Sequence, residues 1–180
     1  VEENIGNPLS PYAVTKASIE QFADVFGRTY GLKWIGLRYF NVFGPKQNPS
    51  NPYAAVIPLF CSAALNNNPI VVNGDGETSR DFTYVDNVVL MNDLTLFTKN
   101  EKALNEVYNC ACEEKTSLNE MLNIIGSLTG KKLSVKYQQE RPGDVKHSLA
   151  SVSKAKRLLG YNPVVKFREG IQLVLTHYND

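Results

Sequence analysis

Apolar residues recur at helical spacing near the start of the chain. In the range 11–30 they follow the i, i+3, i+4, i+7 pattern of an amphipathic helix, at Ile19, Phe22, Ala23 and Phe26. Ser10 can cap the helix N-terminus, Pro11 suits the first helical position, and Gly31 suits the residue after the last turn. The pattern predicts a helix over 11–30, and the apolar run that follows predicts a strand over 33–40.

Short apolar runs and amphipathic stretches alternate along the rest of the chain. The apolar runs predict further strands over 70–72, 80–85, 107–111 and 133–137. The amphipathic stretches predict further helices over 54–65, 86–98, 117–130, 153–159 and 168–178. We expect loops over 41–53 and 140–144 and a tight turn over 73–76. A helix followed at once by an apolar strand is typical of a parallel sheet with crossover helices, so we expect an α/β fold.

The composition argues against several classes of protein, among them nucleic-acid-binding and membrane proteins. The chain has 180 residues and a formal net charge of +1, which gives no general attraction to nucleic acid or to anionic membranes. Because no apolar run approaches about 18 residues and no signal-peptide pattern stands at the start, we expect neither a membrane span nor export. The three cysteines, Cys61, Cys110 and Cys112, favour free thiols in a reducing cytoplasm. Buried strand cysteines are the ordinary interpretation of the C-x-C pair, a metal site is the weaker one, and neither His147 nor His177 is assigned a catalytic role.

Tyr12 and Lys16 are the first candidates for chemistry. They lie four residues apart at the start of the 11–30 helix, so both occupy one face of it. A nearby cation stabilises a phenolate and lowers the pKa of a tyrosine from about 10 toward the range in which it acts as a general base. Ile19 and Ala23 share this stripe, which predicts that the pair lies on the buried face. The same spacing also arises by chance in a chain with many tyrosines and lysines, so alone it decides little.

Three loop motifs follow the 11–30 helix. Asn41 comes directly after a predicted strand, where ligands bind in open α/β sheets, although Asn is also common in plain strand-to-loop turns. Arg80 follows the tight turn at 73–76, and Arg141 stands in a rigid turn that ends at Asp144. Two arginine forks could bracket a diphosphate, with Asp144 accepting from ribose hydroxyls. Taken singly, each arginine is more often a solvated loop residue.

Together these motifs resemble the extended short-chain dehydrogenase/reductase family, and in particular its nucleotide-sugar epimerases. The resemblance covers essentially the whole chain and rests on four segments in matching order: Ser10–Lys16, Arg38–Pro45, Asn73–Phe82 and Arg141–Asp144. A finer similarity, to bacterial UDP-N-acetylglucosamine 4-epimerases, rests on the segments Asn51–Pro58 and Thr78–Phe82. The resemblance implies the C-terminal part of a Rossmann-type parallel sheet, formed by 1–45 and 86–112, plus a smaller α/β substrate-binding domain, formed by 46–85 and 113–180.

The resemblance also implies a reaction and a set of residue roles. The expected reaction is the NAD-dependent 4-epimerisation of a UDP-sugar, either UDP-GlcNAc/UDP-GalNAc or UDP-Glc/UDP-Gal, by transient oxidation at C4. Tyr12 would take the proton of the sugar 4-hydroxyl, and Lys16 would hold the nicotinamide ribose and tune Tyr12. The implied contacts to NAD are Tyr12, Lys16, Phe40 and Val42. The implied contacts to the substrate are Asn41, Ala55, Val56, Phe60, Val71, Val72, Asn73, Arg80, Arg141 and Asp144.

The chain departs from the family pattern at its start. It has no glycine-rich strand–turn–helix for the NAD pyrophosphate, and Tyr12 stands too early for the serine or threonine that the family places upstream. We therefore expect the C-terminal portion of a longer protein, inactive in isolation. In the family this helix also forms a dimer, through an outward face that here carries Ala17, Gln21, Asp24 and Arg28. We expect a homodimer through 11–30, and we expect the buried stripe of this helix to recruit another chain, to pair with a second copy or to lack order.

Two other functions stay open at this point. A related nucleotide-sugar 4,6-dehydratase, 5-epimerase or decarboxylase would share Tyr12 and Lys16 and differ in residues upstream of this chain. A non-catalytic module that binds a nucleotide diphosphate is the alternative from another class. In each case the expected partner is a UDP-sugar or its nucleotide, and neither nucleic acid nor membrane is expected to bind.

Overall fold

Helices and short strands alternate along the chain in the computed structural model, which describes residues 1–4, 6–48, 55–140 and 146–179. The helices are α1 (Pro11–Tyr30), α2 (Val56–Leu65), α3 (Val85–Leu96), α4 (Leu118–Thr129), α5 (Ser153–Leu159) and α6 (Phe167–Asn179), with a short 3₁₀ turn at Glu101–Ala103. The predicted helix ends are confirmed at several places. Ser117 and Glu120 form a capping box at α4, and left-handed glycines follow α1, α4 and α5.

The strands pair two by two. They are β1 (Ile35–Tyr39), β2 (Val42–Phe43), β3 (Ile70–Asn73), β4 (Ser79–Asp81), β5 (Thr83–Tyr84), β6 (Glu106–Cys110), β7 (Lys115–Ser117) and β8 (Val135–Gln138). The pairs β1–β6, β2–β5 and β3–β8 are parallel, and β4–β7 is antiparallel. Parallel pairs connected through helices confirm the predicted α/β class.

The structure differs from the predicted strands in three places. The strand predicted over 80–85 is two strands, because the chain turns at Phe82 and β4 and β5 pair with different partners. The pattern predicts neither β2, which lies in the expected 41–53 loop, nor β7. Both are held by backbone pairing over two or three residues, which is too short for a period-two pattern to show in the sequence.

Two apolar clusters hold these elements together. The first cluster lies among α2, α4, α6 and β3 and contains the aromatic side chains of Phe43, Phe60, Phe82, Tyr84 and Phe167. The second cluster lies around β6 and contains Met91 of α3 and Ala155 and Leu159 of α5. Residues on both sides of the predicted boundary at 112/113 contribute to this second cluster, and the division into two domains stays a prediction.

Helix α1 departs most from its prediction. None of its residues is buried, so the prediction that Tyr12, Lys16 and Ile19 lie on a buried face is wrong for this chain. Its half-buried side is formed mainly by small residues, including Ala17, which was expected to face outward. The large apolar residues of α1 are exposed instead, with Phe22 65% exposed. The periodicity identifies the apolar face correctly, but nothing among the described residues covers it.

Candidate functional site

The Tyr12–Lys16 pair lies in the first turns of α1. The Ser10 hydroxyl accepts a hydrogen bond from the Ala13 N–H at 3.1 Å, and this cap fixes where the helix begins. The Lys16 ammonium lies 5.2 Å from the centre of the Tyr12 ring. Tyr12 is 71% exposed, and Lys16 is exposed as well. Within the described ranges neither the Tyr12 hydroxyl nor the Lys16 ammonium takes part in a hydrogen bond or an ion pair, so both face solvent.

An ion pair fixes α1 against β1. Arg38 donates from Nε and from Nη2 to the two carboxylate oxygens of Glu20, each at 2.7 Å. Its Nη1 donates to the Glu2 carbonyl at 2.7 Å. The hydrogen bonds that Arg38 donates to Glu20 raise the pKa of Arg38 above its ordinary value. A bidentate pair of this kind sets the angle and the register of the helix on the strand.

This register brings the start of α1 to the end of β1. The helix runs antiparallel to the strand after a short connection, with rises of about 1.5 Å and about 3.3 Å per residue. Counting from that connection, Tyr12 lies about 27 Å before Tyr30 and Asn41 lies about 26 Å beyond Lys33. Tyr12 and Asn41 therefore lie at the same edge of the fold, where ligands of α/β sheets bind.

Asn41 occupies this edge in a left-handed backbone conformation, with a φ of 38°. Its side-chain amide donates to the Asp81 carbonyl at 2.9 Å, and its own carbonyl accepts from the Thr83 N–H at 3.3 Å. Backbone strain in a residue other than glycine costs about 1 kcal/mol or more and is concentrated at ligand sites. Here the strain is held by hydrogen bonds to the segment that joins β4 to β5.

A cavity of about 280 Å³ opens beside Asn41. Its walls come from β2, from the start of α2, from the segment 73–82 and from the start of α4. The lining residues are Asn41, Val42, Phe43, Ala55, Val56, Ile57, Asn73, Thr78, Arg80, Phe82 and Leu118. Apolar walls with a few polar groups at the rim are typical of sites for small ligands. Six of the predicted site residues thus meet in one cavity: Asn41, Val42, Ala55, Val56, Asn73 and Arg80.

Arg80 brings a positive charge to the cavity wall. Its Nη1 donates to the carbonyl oxygens of Ser79 at 2.9 Å and Lys146 at 3.3 Å. The guanidinium is half-buried, so water screens its charge less than that of a surface arginine. The arrangement suits an anionic group such as phosphate.

Asp81, the next residue, is fully buried and serves the fold. Its carboxylate accepts from the Cys112 N–H at 2.9 Å and from the Ala150 N–H at 3.4 Å. Burial raises the pKa of Asp81, and these backbone hydrogen bonds partly oppose the rise. Asp81 therefore fixes β4 to the backbone at Cys112 and Ala150, while Arg80, on the opposite side of the strand, lines the cavity.

Besides Tyr12 and Lys16, four described residues of the predicted site do not line the cavity. Phe60 and Val72 are buried in the first cluster, and Phe40 packs against the second. Val71 shares a face of β3 with Asn73 but is exposed, and only Asn73 reaches the cavity. Period-two alternation along β3 explains why Val72 turns into the core. Arg141 and Asp144 lie outside the described residues.

The sequence predictions missed five of the lining residues: Phe43, Ile57, Thr78, Phe82 and Leu118. Phe43 and Phe82 form the floor, and the Phe43 ring lies 5.6 Å from the rings of Tyr84 and Phe167. Gly170 allows α6 to lie against this floor, since a Cβ there would meet the Phe43 ring at 2.6 Å. Local pattern gives no signal for Phe43 and Phe82, because Asn41 is left-handed and the chain turns at Phe82, so neither residue lies in a regular extended run with its predicted neighbour.

The three thiols lie away from this chemistry. Cys61, Cys110 and Cys112 are buried and free, which confirms the buried interpretation of the C-x-C pair. Burial raises the pKa of Cys61 to about 12 and the pKa of Cys110 and Cys112 to about 11. Such thiols are protonated at neutral pH and react slowly.

No helix among the described residues is both long enough and apolar enough to cross a lipid bilayer.

Three solved structures share this fold over nearly the whole chain. UDP-glucose 4-epimerase from Thermotoga maritima, solved with UDP-glucose, is 36% identical with a TM-score of 0.92, covering 99% of this chain and 56% of that one. UDP-N-acetylglucosamine 4-epimerase from Methanobrevibacter ruminantium M1, in complex with UDP-N-acetylmuramic acid, is 42% identical with a TM-score of 0.89, covering 96% and 55%. UDP-glucuronic acid 4-epimerase from Bacillus cereus, in complex with UDP-glucuronic acid and NAD, is 31% identical with a TM-score of 0.89, covering 99% and 55%.

A family model gives the same result from the sequence side. The model described as GDP-mannose 4,6 dehydratase matches residues 1–174. The chain spans about half the length of the curated relatives it matches. The match extends over the helix that carries Tyr12 and Lys16 and over all the described residues that line the cavity. The chain therefore belongs to the GDP-mannose 4,6 dehydratase family, a group of epimerases and dehydratases of the short-chain dehydrogenase/reductase type.

Proposed function

We propose that the protein containing this chain is an NAD-dependent 4-epimerase of UDP-sugars, acting on UDP-GlcNAc/UDP-GalNAc or on UDP-Glc/UDP-Gal. The observation that carries the proposal is the cavity lined by Asn41 and Arg80. The Arg38–Glu20 ion pair orients α1 so that, by the rise per residue, the Tyr12–Lys16 pair is expected at the same edge. The family membership and the UDP-sugars bound to the three related structures support it. This chain would supply the base and the nucleotide-binding part of the site.

Tyr12 is the base in the proposed reaction. As a phenolate it takes the proton of the sugar 4-hydroxyl while C4 loses a hydride, which gives a 4-keto sugar. When the hydride returns to the opposite face of C4, Tyr12 gives the proton back to the 4-oxygen. The Lys16 ammonium near the ring stabilises the negative charge of the phenolate in between. The substrate ends as an isomer, with no net oxidation.

The described residues fit one end of NAD. Tyr12 and Lys16 present exposed polar groups to ribose hydroxyls, and the backbone from Phe40 to Val42 follows a strand end at the edge where such folds bind nucleotides. NAD, when bound, accepts the hydride from C4 and returns it. The chain has no glycine-rich turn for the pyrophosphate. We propose that the remaining contacts to NAD come from the part of the protein outside this chain.

The cavity holds the UDP moiety in this proposal. Arg80 binds the diphosphate, Asn41 contacts the substrate near the phosphates, and the uridine lies against Ala55, Val56 and Asn73. Arg141 and Asp144 are proposed as the second diphosphate contact and the ribose contact. Phe60, Val71 and Val72 are still proposed to lie beside the uridine. Because none of the three lines the cavity, Val71 and Val72 would contact the uridine through their backbone. A nucleotide held firmly beside a loosely held sugar lets the 4-keto sugar turn over.

A 4,6-dehydratase is the second candidate, because the matching family model carries that description. A dehydratase or a decarboxylase of the family would use the same Tyr12–Lys16 pair and the same nucleotide cavity. The two candidates differ in their products. A dehydratase removes water from the sugar and forms a 4-keto-6-deoxy sugar, whereas an epimerase forms an isomer of its substrate. The residues outside this chain would decide between them.

We also infer a homodimer through α1 and a location in the cytoplasm. On the face predicted for the dimer, Gln21, Asp24 and Arg28 are exposed and Ala17 is half-buried. The exposed apolar residues Ile19, Phe22 and Phe26 form a second surface that a partner would cover. Three free thiols support a reducing compartment.

Tyr12→Phe in the full-length protein tests the proposal. Loss of the phenol oxygen removes the base, so we expect about a 100- to 10,000-fold fall in kcat for the interconversion of the two UDP-hexoses. Tyr30→Phe removes the same atom from the other end of α1 and should leave kcat unchanged. Unchanged activity of the Tyr12 variant would overturn its role, and a 4-keto-6-deoxy product from the unsubstituted protein would favour the dehydratase.

A further inference from the structure

The segment 146–148 lies along the edge of β4 that β7 leaves open. The Ser79 N–H donates to the Lys146 carbonyl at 2.9 Å, and the Ser148 N–H donates to the Ser79 carbonyl at 3.1 Å. The side chains add a third contact, in which the Ser79 hydroxyl and Nδ1 of His147 are 2.8 Å apart. Ser79 is 1% exposed, whereas His147 is exposed. A hydroxyl can donate to a neutral imidazole or accept from a protonated one, so this contact exists in either state.

The same two carbonyl oxygens hold the guanidinium of Arg80. Nη1 of Arg80 donates to the carbonyl oxygens of Ser79 and Lys146, at 2.9 Å and 3.3 Å. The Lys146 carbonyl therefore accepts from both the Ser79 backbone and the Arg80 side chain. If the segment 146–148 moves relative to β4, the Lys146 carbonyl that accepts from the guanidinium moves with it.

We propose that His147 is a positioning residue that acts through Ser79 to fix Arg80 for the diphosphate of the substrate. The proposal rests on the proposed function, in which Arg80 is the diphosphate contact. His147 lies outside the described lining of the cavity that contains Arg80, so in this proposal it acts through Arg80. The imidazole of His147 fixes the segment to the Ser79 hydroxyl one residue after Lys146. The Lys146 carbonyl itself accepts a hydrogen bond from the Ser79 backbone N–H.

Other charged groups surround His147 on its exposed side. Asp75, Glu77, Glu140 and Lys146 line a neighbouring polar cavity with it. Lys146 lies 4.0 Å from Glu140, a contact between exposed side chains. Such contacts contribute little and are screened by salt, so the segment is fixed by its contacts to the buried Ser79, two from the backbone and one from the His147 side chain.

Titration of the chain with UDP and, separately, with uridine tests the proposal by calorimetry. In His147→Ala we expect Kd for UDP to rise about five- to tenfold, while Kd for uridine, which has no phosphate, stays the same. A merely structural role would weaken both ligands alike. His147→Asn keeps a polar atom near the position of Nδ1 and should restore most of the UDP affinity, and His177→Ala, at the exposed histidine of α6, should change neither value.

Each outcome decides a different claim. Equal Kd values for UDP in the unsubstituted chain and in His147→Ala would overturn the positioning role and leave the proposed function intact. Equal losses for UDP and uridine would also overturn it. If the unsubstituted chain binds no UDP, the nucleotide site proposed for the cavity fails in this chain, and the positioning role fails with it, whereas the epimerase assay of the full-length protein tests the proposed reaction separately.

Discussion

The cavity and helix α1 carry the two halves of the candidate site, and the chain builds them to very different degrees. The cavity is backed by the first apolar cluster, whose residue Phe43 is 2% exposed and packs against Tyr84 and Phe167. Helix α1 has 20 residues, none of them buried, and is fixed to β1 by the Arg38–Glu20 ion pair. One half of the site has walls on several sides, and the other half is a helix end in solvent.

This contrast separates what the chain does alone from what it does with a partner surface. A nucleotide needs the cavity walls and the charge of Arg80, which are already assembled. A phenolate at Tyr12 needs an environment that favours it beyond one nearby ammonium, and an exposed helix end gives little of that. We therefore expect nucleotide binding in the isolated chain and chemistry only where the apolar face of α1 is covered.

The largest expected effect comes from removing one phenyl ring in each region. Phe43→Ala deletes a ring from the floor of the cavity and should lower the free energy of unfolding by about 3–5 kcal/mol. Phe22→Ala deletes the same ring from the exposed side of α1 and should change it by less than about 0.5 kcal/mol. Urea unfolding followed by circular dichroism measures both. A comparable loss in the two variants would show that α1 is packed in solution.

An arginine in each region gives the next effect, on ligand affinity. Arg80→Ala removes the charge at the cavity wall and should raise Kd for UDP about 10- to 100-fold, the cost of a lost charged hydrogen bond. Arg28→Ala removes an exposed arginine that pairs with Asp24 at 2.9 Å on α1 and should leave Kd unchanged. Calorimetric titration distinguishes the two, and an unchanged Kd in Arg80→Ala would remove Arg80 from the nucleotide site.

The smallest expected effect concerns carboxylates and pH. The bond to Lys156 at 2.7 Å and the Val152 N–H hold the pKa of Glu113 below its ordinary value of 4.5. Stabilisation by Glu113 is therefore present above its unfolded pKa and is lost as pH falls through its folded pKa. Glu113→Gln should lower stability at pH 7 by less than about 1 kcal/mol, and the loss should shrink as pH falls through the folded pKa of Glu113.

The exposed carboxylate of α1 provides the control for this pH series. Asp24 pairs with Arg28 one turn away in the same helix, and both side chains are exposed. Asp24→Asn should therefore change Tm less than Glu113→Gln at every pH. A pH-independent effect of Glu113→Gln would mean that the Glu113 contacts do not depend on its charge.

The sequence predicts helices well here and strands less well, for physical reasons. Helix α1 has a cap, a proline and a regular apolar period, and its observed ends at Pro11 and Tyr30 are those predicted. The strand pairs β2–β5 and β4–β7 depend on backbone partners far apart in the chain, and local pattern carries no information on that pairing. Burial of the apolar stripe of α1 could not be predicted either, because it depends on a surface that the described residues do not contain.

The candidate site divides in a similar way. Asn41 and Arg80, which follow a strand end and a tight turn, were predicted from local rules, and Asn73 was predicted from the resemblance; all three lie together in the cavity. The floor residues Phe43 and Phe82 look like ordinary core residues in the sequence, and only the packing of α6 over them shows that they border a cavity. Val72 was assigned to the ligand, but strand alternation turns its side chain into the core.

Titration of the 180-residue chain with UDP in the absence of NAD tests most directly whether this chain builds the nucleotide site by itself. We predict that one UDP binds per chain, that the binding saturates, and that it occurs without NAD. Binding of UDP only when NAD is also present, or no binding at all, would contradict the claim that the cavity at Asn41 and Arg80 is a complete nucleotide site.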